Sequence, residues 1–304
     1  MEIHQLQILR ELGDLGSVRA VAQALFVTPS AVSQQLALLQ RGVDVPLTRK
    51  EGRNLVLTDA GRVLATAGAA VIASMADARA AIGAFQDDDE AAVTISGFHS
   101  VGQALFAPLL GAIAGAGAPL PMFFDEDVAQ QEFPALTARY DLVLAHRMDH
   151  TPRWPTDRVA VVPLTHEPLD IALPAGHPLA DRDALLPQDL TGADWVVSRE
   201  GYSPADILAA LSAVSGSAPR VVHRINDYTT VAALVGTGNV FGILPRYTAA
   251  VAAGAGVVLR PLEGINNRRR IDLLARPETL RRRSVRRVAD AIGTAMRELA
   301  GDDG

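Results

Sequence analysis

The residues best suited to chemistry in this chain are small and uncharged. Ser30, Ser33 and Gln34 follow Thr28-Pro29 and interleave with Val32, Leu36 and Leu39. Thr28 is a helix-capping type, and proline at the first helical position loses no hydrogen bond. Val32, Leu36 and Leu39 recur at i, i+4 and i+7, so they form one buried stripe. The opposite face carries Ser30, Gln34, Ala37 and Arg41, with Ser33 on its flank. A face of hydroxyls and one amide can enter a DNA major groove and pair with base edges. A glutamine there can bond bidentately to adenine, which is worth roughly 1–3 kcal/mol of discrimination. A second set, Arg49, Lys50 and Arg53, surrounds Glu51-Gly52. Cations on such a turn suit phosphates or the minor groove.

These side chains need elements to hold them. Gly16–Leu39 reads as two short helices and a tight turn, with Ser17 as N-cap and Phe26-Val27 in the turn. Glu2–Leu12 is an amphipathic helix that packs on the pair. Thr48–Thr58 has alternating Leu55 and Leu57 after its basic turn, the pattern of a two-stranded hairpin. Thr58–Phe85 keeps a helical period without proline, which gives a helix of roughly 40 Å. Its apolar stripe calls for a partner, and a second copy of the chain is the economical one. Gln86–Glu90 is an acidic linker.

From Ala92 onward, strands alternate with helices in two runs, as expected of two α/β lobes with mainly parallel strands. VAVVPL (159–164) and LDIAL (169–173) read as separate strands. In such sheets a ligand sits beyond the carboxyl ends of the strands, which here means the cleft between lobes. Phe98, His99 and Ser100 follow the first strand, Asp127 and Val128 the second, and His146 and Arg147 the third. Ser198, Tyr202, Tyr228 and Thr229 occupy the equivalent turns of the second lobe. Helix N-termini and the planar fork of Arg147 suit an anionic effector. Asp127, if it faces the cleft, suits an amine or several hydroxyls instead.

Composition narrows the classes further. The 304 residues suffice for two domains, and with no cysteine the chain has no disulfide, thiolate zinc site or iron–sulfur cluster. The formal net charge of -6 argues against a protein that coats nucleic acid indiscriminately. Cations gather at the N-terminal end, while Asp87–Glu90 and Asp125–Asp127 are acidic, a split that fits a small DNA-contacting module on an acidic body. The opening MEIHQLQILREL does not read as a signal peptide, and no uninterrupted apolar run reaches the length of a membrane span. A cytoplasmic location is the expectation, without membrane association. His146 and His150, Gly236-Thr237-Gly238 and Gly111–Gly117 do not meet the requirements of metal, dinucleotide or phosphate-loop motifs, so neither metal nor cofactor is expected. No nucleophile–base pair stands out, so an enzyme is not expected. The arginines at 268–270, 281–283 and 286–287 read as a second patch for an anionic partner or, in preference, as a solvated helix face.

The chain resembles LysR-type transcriptional regulators over nearly its whole length. The resemblance rests on Gly16-Ser17, Val21-Ala22, Thr28–Ser33, Leu39-Gln40 and Leu57-Thr58-Asp59-Ala60-Gly61. HEPLDIALPAGHPLA (166–180) and VAALVGTGNVFGILP (231–245) look like the family's effector-domain signatures. It implies a winged helix-turn-helix over 1–58, a dimerising helix and linker over 59–90, and an effector domain over 91–304 resembling type 2 periplasmic binding proteins. Lobe 1 would take about 91–160 and 267–300, and lobe 2 about 161–266. By the same match Thr28, Pro29, Ser30, Ser33 and Gln34 face the groove, and Arg53 enters the minor groove. Ser17, Arg49 and Lys50 complete the expected DNA contacts. The resemblance also implies a dimer or tetramer on promoter DNA, a small effector in the cleft, and contact with RNA polymerase. Gln40 and Thr48 depart from the pattern, and are expected to lose a salt bridge and to weaken an apolar contact under the wing.

Overall fold

Ser17 and Thr28 start their helices as their types require. The Ser17 hydroxyl accepts from Ala20 N–H at 3.0 Å and the Thr28 hydroxyl from Ala31 N–H at 3.2 Å. The computed structural model describes residues 1–52, 54–83, 92–116, 119–200, 202–250 and 256–301. Helices α1 (Ile3–Leu15), α2 (Val18–Ala24) and α3 (Pro29–Arg41) share one core through Leu9, Leu12, Val21, Val32 and Leu39. Strands β1 (Thr48–Glu51) and β2 (Asn54–Leu57) form the antiparallel wing, with Thr48 opposite Leu57. Leu47 and Leu57 anchor the wing in that core.

Two residues explain how the wing is seated. Gln40 does not leave a gap: its Nε2 donates to the carbonyls of Val43 and Val45 at 3.0 and 2.9 Å, and its Oε1 accepts from Leu47 N–H at 2.8 Å. An amide, which both donates and accepts, thus staples the turn into the wing in a way a carboxylate does not. Gly61 lies under the same turn. A Cβ there would sit 2.0 Å from the Leu47 carbonyl oxygen, so the close approach requires glycine.

Helix α4 (Asp59–Gly83) packs one side on α1, with Gly68 against Leu6. Val63, Val71, Met75 and Ile82 remain exposed on it. By length and composition only, α4 is long and apolar enough to cross a membrane, although Arg62, Asp77 and Arg79 interrupt its apolar run as the sequence expectation has it. Its contact with α1 and its alanine-rich exposed side account for that composition within a folded module. The acidic linker expected over 86–90 lies outside the described residues.

The larger domain runs β3 (Thr94–Gly97), α5 (His99–Ala116), β4 (Met122–Asp125), α6 (Phe133–Leu136), β5 (Leu142–Met148) and β6 (Ala160–Pro174). It continues with β7 (Asp194–Val197), α7 (Ser203–Ser215), β8 (Arg220–Arg224), α8 (Tyr228–Gly236), β9 (Gly242–Pro245), β10 (Val257–Arg260), β11 (Arg268–Ala275) and α9 (Arg283–Ala300). One seven-stranded sheet has the order β10-β6-β11-β5-β3-β4, with β9 also on β6, and β7 and β8 pair separately. The sheets are mixed, and not mainly parallel as the alternation implied. Strand β3 pairs parallel with β4 and β5, and β7 with β8, but every pairing of β6 and β11 is antiparallel. The reason is that β6 and β11 carry the chain between lobes in opposite directions.

The two strands expected at 159–164 and 169–173 are also one. Strand β6 runs through Pro163 and Pro168 and serves both lobes. Its Val161 and Leu164 pack on a core built from Ile95, Leu109, Leu142 and Ile292. Its Leu169 and Ile171 belong to a second core with Trp195, Leu211 and Ile243. The crossing therefore falls between Leu164 and Leu169, inside a strand, a few residues past the boundary read from sequence.

Candidate functional site

The outward edge of α3 is free of protein. Pro29, Ser30, Ser33, Gln34, Ala37 and Arg41 are all exposed or half-exposed along it. Ser30 shares a 3.0 Å hydrogen bond with the Thr28 hydroxyl, and Ser33 donates to the Pro29 carbonyl at 3.0 Å. These local bonds fix the two hydroxyls at the helix start. Among the described residues the Gln34 amide makes no intramolecular hydrogen bond, so its donors and acceptor face outward. Arg49 and Lys50 lie on the solvent side of β1, with Arg49 in a loose 3.3 Å pair with Glu51. Arg53 lies outside the described residues. Ser17 is half-buried, and its hydroxyl is engaged in capping α2.

The two lobes meet at a polar seam. At its centre Arg269, 1% exposed, pairs with Glu167, 0% exposed, at 2.7 Å. Glu167 also accepts from Tyr247 N–H at 2.8 Å, Thr248 N–H at 2.6 Å and the Thr248 hydroxyl at 3.1 Å. Arg269 reaches the hydroxyls of Thr248 at 2.8 Å and Ser100 at 3.3 Å, and stacks over Phe98 with 4.9 Å to the ring centre. Such burial is tolerable because the two charges are paired and further hydrogen-bonded. Beside it His146 is buried between Phe98 and Phe133 and bonds Ser203 at 3.2 Å. Burial, with the nearby Arg269 charge, holds His146 far below the usual histidine range, so it is a neutral hydrogen-bonding group.

The rim of the seam is acidic. His99 at the start of α5 lies 2.8 Å from Asp125 and 3.3 Å from Asp227. Its pKa is raised, first by the hydrogen bond to Asp125 and then by the charges of Asp125, Asp227 and Asp127, against the opposing effect of burial. Across the lobes, Tyr202 donates its hydroxyl to the Asp127 carbonyl at 3.1 Å and Asn226 donates to the Asp127 carboxylate at 3.2 Å. Burial and the Asp127 charge raise the Tyr202 pKa, which keeps that phenol protonated and donating. Ser198, at the end of β7, is buried with its hydroxyl unpaired.

Most of the positions expected at the cleft are thus brought together, in different roles. His99, Ser100, Asp127, His146, Tyr202 and Tyr228 lie at the seam, whereas Ser198 is buried at the end of β7 and, among the described residues, makes no side-chain hydrogen bond across it; Tyr228 stands beside Arg269 and its pKa is raised by burial. Phe98 is buried under the seam as the floor for Arg269, and Val128 packs on the first lobe's core. Thr229 is exposed and, among the described residues, makes no side-chain hydrogen bond. Arg147 is not brought to the seam, which corrects its expected place. It follows His146 on β5, and neighbours on a strand point to opposite faces. It faces Asp272 and Trp154 instead. The sequence reading missed Glu167, Asn226, Asp227, Thr248 and Arg269. Arg268–Arg270 is not a helix face but the start of β11, and alternation along that strand turns Arg269 inward.

An exposed reading helix with a basic wing, joined to two lobes that meet at the carboxyl ends of their strands, defines a ligand-responsive DNA-binding regulator. Residues 3–62 match the model of the bacterial regulatory helix-turn-helix protein, lysR family, and residues 86–297 that of the LysR substrate binding domain. The uncharacterized HTH-type transcriptional regulator YybE of Bacillus subtilis (strain 168) is 23% identical over 257 residues, 81% of this chain and 82% of its own. A full-length OxyR variant from Pseudomonas aeruginosa has the same fold, with a TM-score of 0.68 at 17% identity over 98% of this chain and 95% of its own. CbnR complexed with its target DNA gives 0.53 at 18% identity over 97% and 100%. The chain belongs to the LysR family of transcriptional regulators. It is a DNA-binding regulator under the control of a small-molecule effector, and not an enzyme.

Proposed function

We propose that α3 reads the promoter through Ser30, Ser33 and Gln34, with Thr28 and Pro29 against the backbone and Arg49, Lys50 and Arg53 of the wing holding phosphates or the minor groove. The observation that carries this reading is the exposed, unpaired Gln34 amide on a helix whose other face is buried. Residues 1–58 form the reading module, 59–90 the pairing segment and 91–304 the sensor. The exposed stripe of Val63, Val71, Met75 and Ile82 on α4 pairs with its copy in a dimer, which sets two α3 helices at half-sites about a helical turn or its multiples apart. Two dimers on neighbouring sites make the tetramer, which bends the DNA and presents itself to RNA polymerase in the cytoplasm.

The effector binds in the seam. Asp125, Asp127 and Asp227 around His99 favour a molecule carrying hydroxyl or amino groups over a simple anion. A gel-shift with the DNA upstream of the protein's own gene tests the reading face. Gln34→Ala and Ser33→Ala are expected to weaken the shift without changing the melting temperature. Wild-type binding by both variants would sink the assignment of α3.

A further inference from the structure

Arg147 points toward a cavity of about 420 Å³ at the junction of the reading module and the first lobe. The cavity has a basic side and an apolar side. Its cations are Arg147, Arg153, Arg158 and Arg276, and Pro134, Pro152, Trp154 and Val159 supply the apolar wall. Asp14, from the end of α1, and Asp206, from α7, close two edges.

The cations are incompletely satisfied. Asp272, the carboxylate nearest Arg147, already accepts the Trp154 indole N–H at 2.7 Å. It leaves Arg147 Nε at 3.8 Å, beyond hydrogen-bond reach. Arg147 Nη1 has only a 3.5 Å contact with the Met148 carbonyl. Arg147 is 8% exposed and Arg276 4%, and the Nε of each is buried without a hydrogen-bond partner. Arg153 is exposed and makes no ion pair among the described residues. Leaving buried guanidinium donors unpaired is costly. The two Nε atoms are sealed from solvent, so a carboxylate in the cavity meets the terminal guanidinium nitrogens and the exposed Arg153, in the planar geometry that arginine matches.

We propose that this cavity is a second ligand site, which takes a small carboxylate with an apolar body. It is distinct from the centre of the seam: Glu167 and Arg269 contribute nothing to its lining, although Gln130 and Asp206 meet across the lobes at its edge, 3.3 Å apart. Its occupant also competes with the protein. Arg158 Nε lies 3.3 Å from Asp14, and Arg276 Nη1 lies 2.8 Å from Asp14 Oδ2. That Oδ2 is still without a well-directed hydrogen bond, so charge and proximity alone hold it. A bound carboxylate shares those arginines and weakens the hold of Asp14, which ties α1 to the first lobe. The remaining ties, Glu11 to Arg276 at 2.7 Å and Arg10 to Glu278 at 2.7 Å, then carry the contact.

The chain has two tryptophans, and Trp154 lines this cavity while Trp195 is sealed in the other lobe. The test is a fluorescence titration of the full chain with cyclohexanecarboxylate, and with cyclohexanecarboxamide as the uncharged control. A saturable change with Kd of about 1 mM is expected for the carboxylate only, in line with what a ligand of its size reaches. Trp154→Phe should abolish the signal and Arg147→Gln should weaken binding about tenfold, the loss of one charge-assisted pair. Arg153→Ala removes an exposed, unpaired cation and keeps the test valid if Arg147→Gln folds poorly; it should weaken binding severalfold. Asp14→Asn removes the competitor and should tighten it. His99→Ala, in the seam, should change nothing. No saturation by the carboxylate at about 20 mM, an equal response to the amide, or wild-type binding by Arg153→Ala together with Arg147→Gln overturns the proposal.

Discussion

The edge of α3 and the seam between the lobes are both polar, yet they are built in opposite ways. On α3 the polar groups lie within one turn or two of each other, stand in solvent and leave Gln34 unpaired. In the seam they come from segments far apart in the chain, are buried, and largely satisfy one another. On the assignment proposed above, the difference follows from the size of the partner. A DNA groove brings its own array of donors and acceptors, so the helix needs only to stay exposed. A small ligand must be enclosed, and groups waiting in an enclosure must be paired or they destabilise the fold. Beyond the Thr28 cap, the first site adds little to stability, whereas the other is part of what holds the domain together.

The contrast breaks if substitutions in the seam leave stability untouched. Glu167→Gln strands the Arg269 charge, and removal of one partner from a buried pair costs about 3–5 kcal/mol. A large fall in melting temperature is expected by calorimetry. Gly61→Ala tests the frame of the reading module. The new Cβ cannot share space with the Leu47 carbonyl, so the wing must shift, at a cost of ~3 kcal/mol. Loss of DNA binding should accompany increased amide exchange in β1 and β2. Gln34→Ala should do the reverse of Glu167→Gln, with affinity for the correct site down by roughly 1–3 kcal/mol and unfolding unchanged. An equal loss on non-specific DNA would argue that Gln34 contacts the backbone only.

The smallest effect expected is that of pH on the rim. His99 has a pKa raised above its ordinary 6.5, and faces Asp125, Asp127 and Asp227. A group raised in this way contributes fully below its ordinary value, and its contribution fades as pH climbs through the raised value. The link to Asp227 is thus expected to loosen from about pH 6.5 upward. Amide exchange at the start of α8 should quicken over that range, and His99→Gln should flatten the dependence. A wild-type profile already flat there would place His99 outside the contact between lobes.

The same contrast governs what could be read from the residues alone. Caps, the turn, the wing and α3's reading edge depend on neighbours in sequence, and Ser17, Thr28 and Pro29 do what their types announce. The seam depends on which strands become neighbours. Glu167 sits in a recognisable stretch, but its partner Arg269 lies in an arginine run that looks solvent-facing until β11 is placed between β5 and β6. Arg147 shows a finer failure: His146 and Arg147 were expected in the turn after the strand, but β5 runs on to Met148, and its alternation sends the two to different neighbours. Gln40 shows another, since the residue type suggested only a lost salt bridge, whereas its amide donates two bonds that no carboxylate can.

Strand β6 limits how the sensor can move. It and β11 are laced together from Ala160 to Pro168, with a single register shift at Ile271/Asp272 opposite Pro163 and Thr165. Two stiff ribbons bonded side by side do not slide or twist independently, but an irregular step lets them bend together. The lobes are therefore joined less like beads on a string than like the covers of a book on one spine. Rotation about that spine is thus the motion this lacing opposes least, and it is the one a ligand in the seam would have to drive.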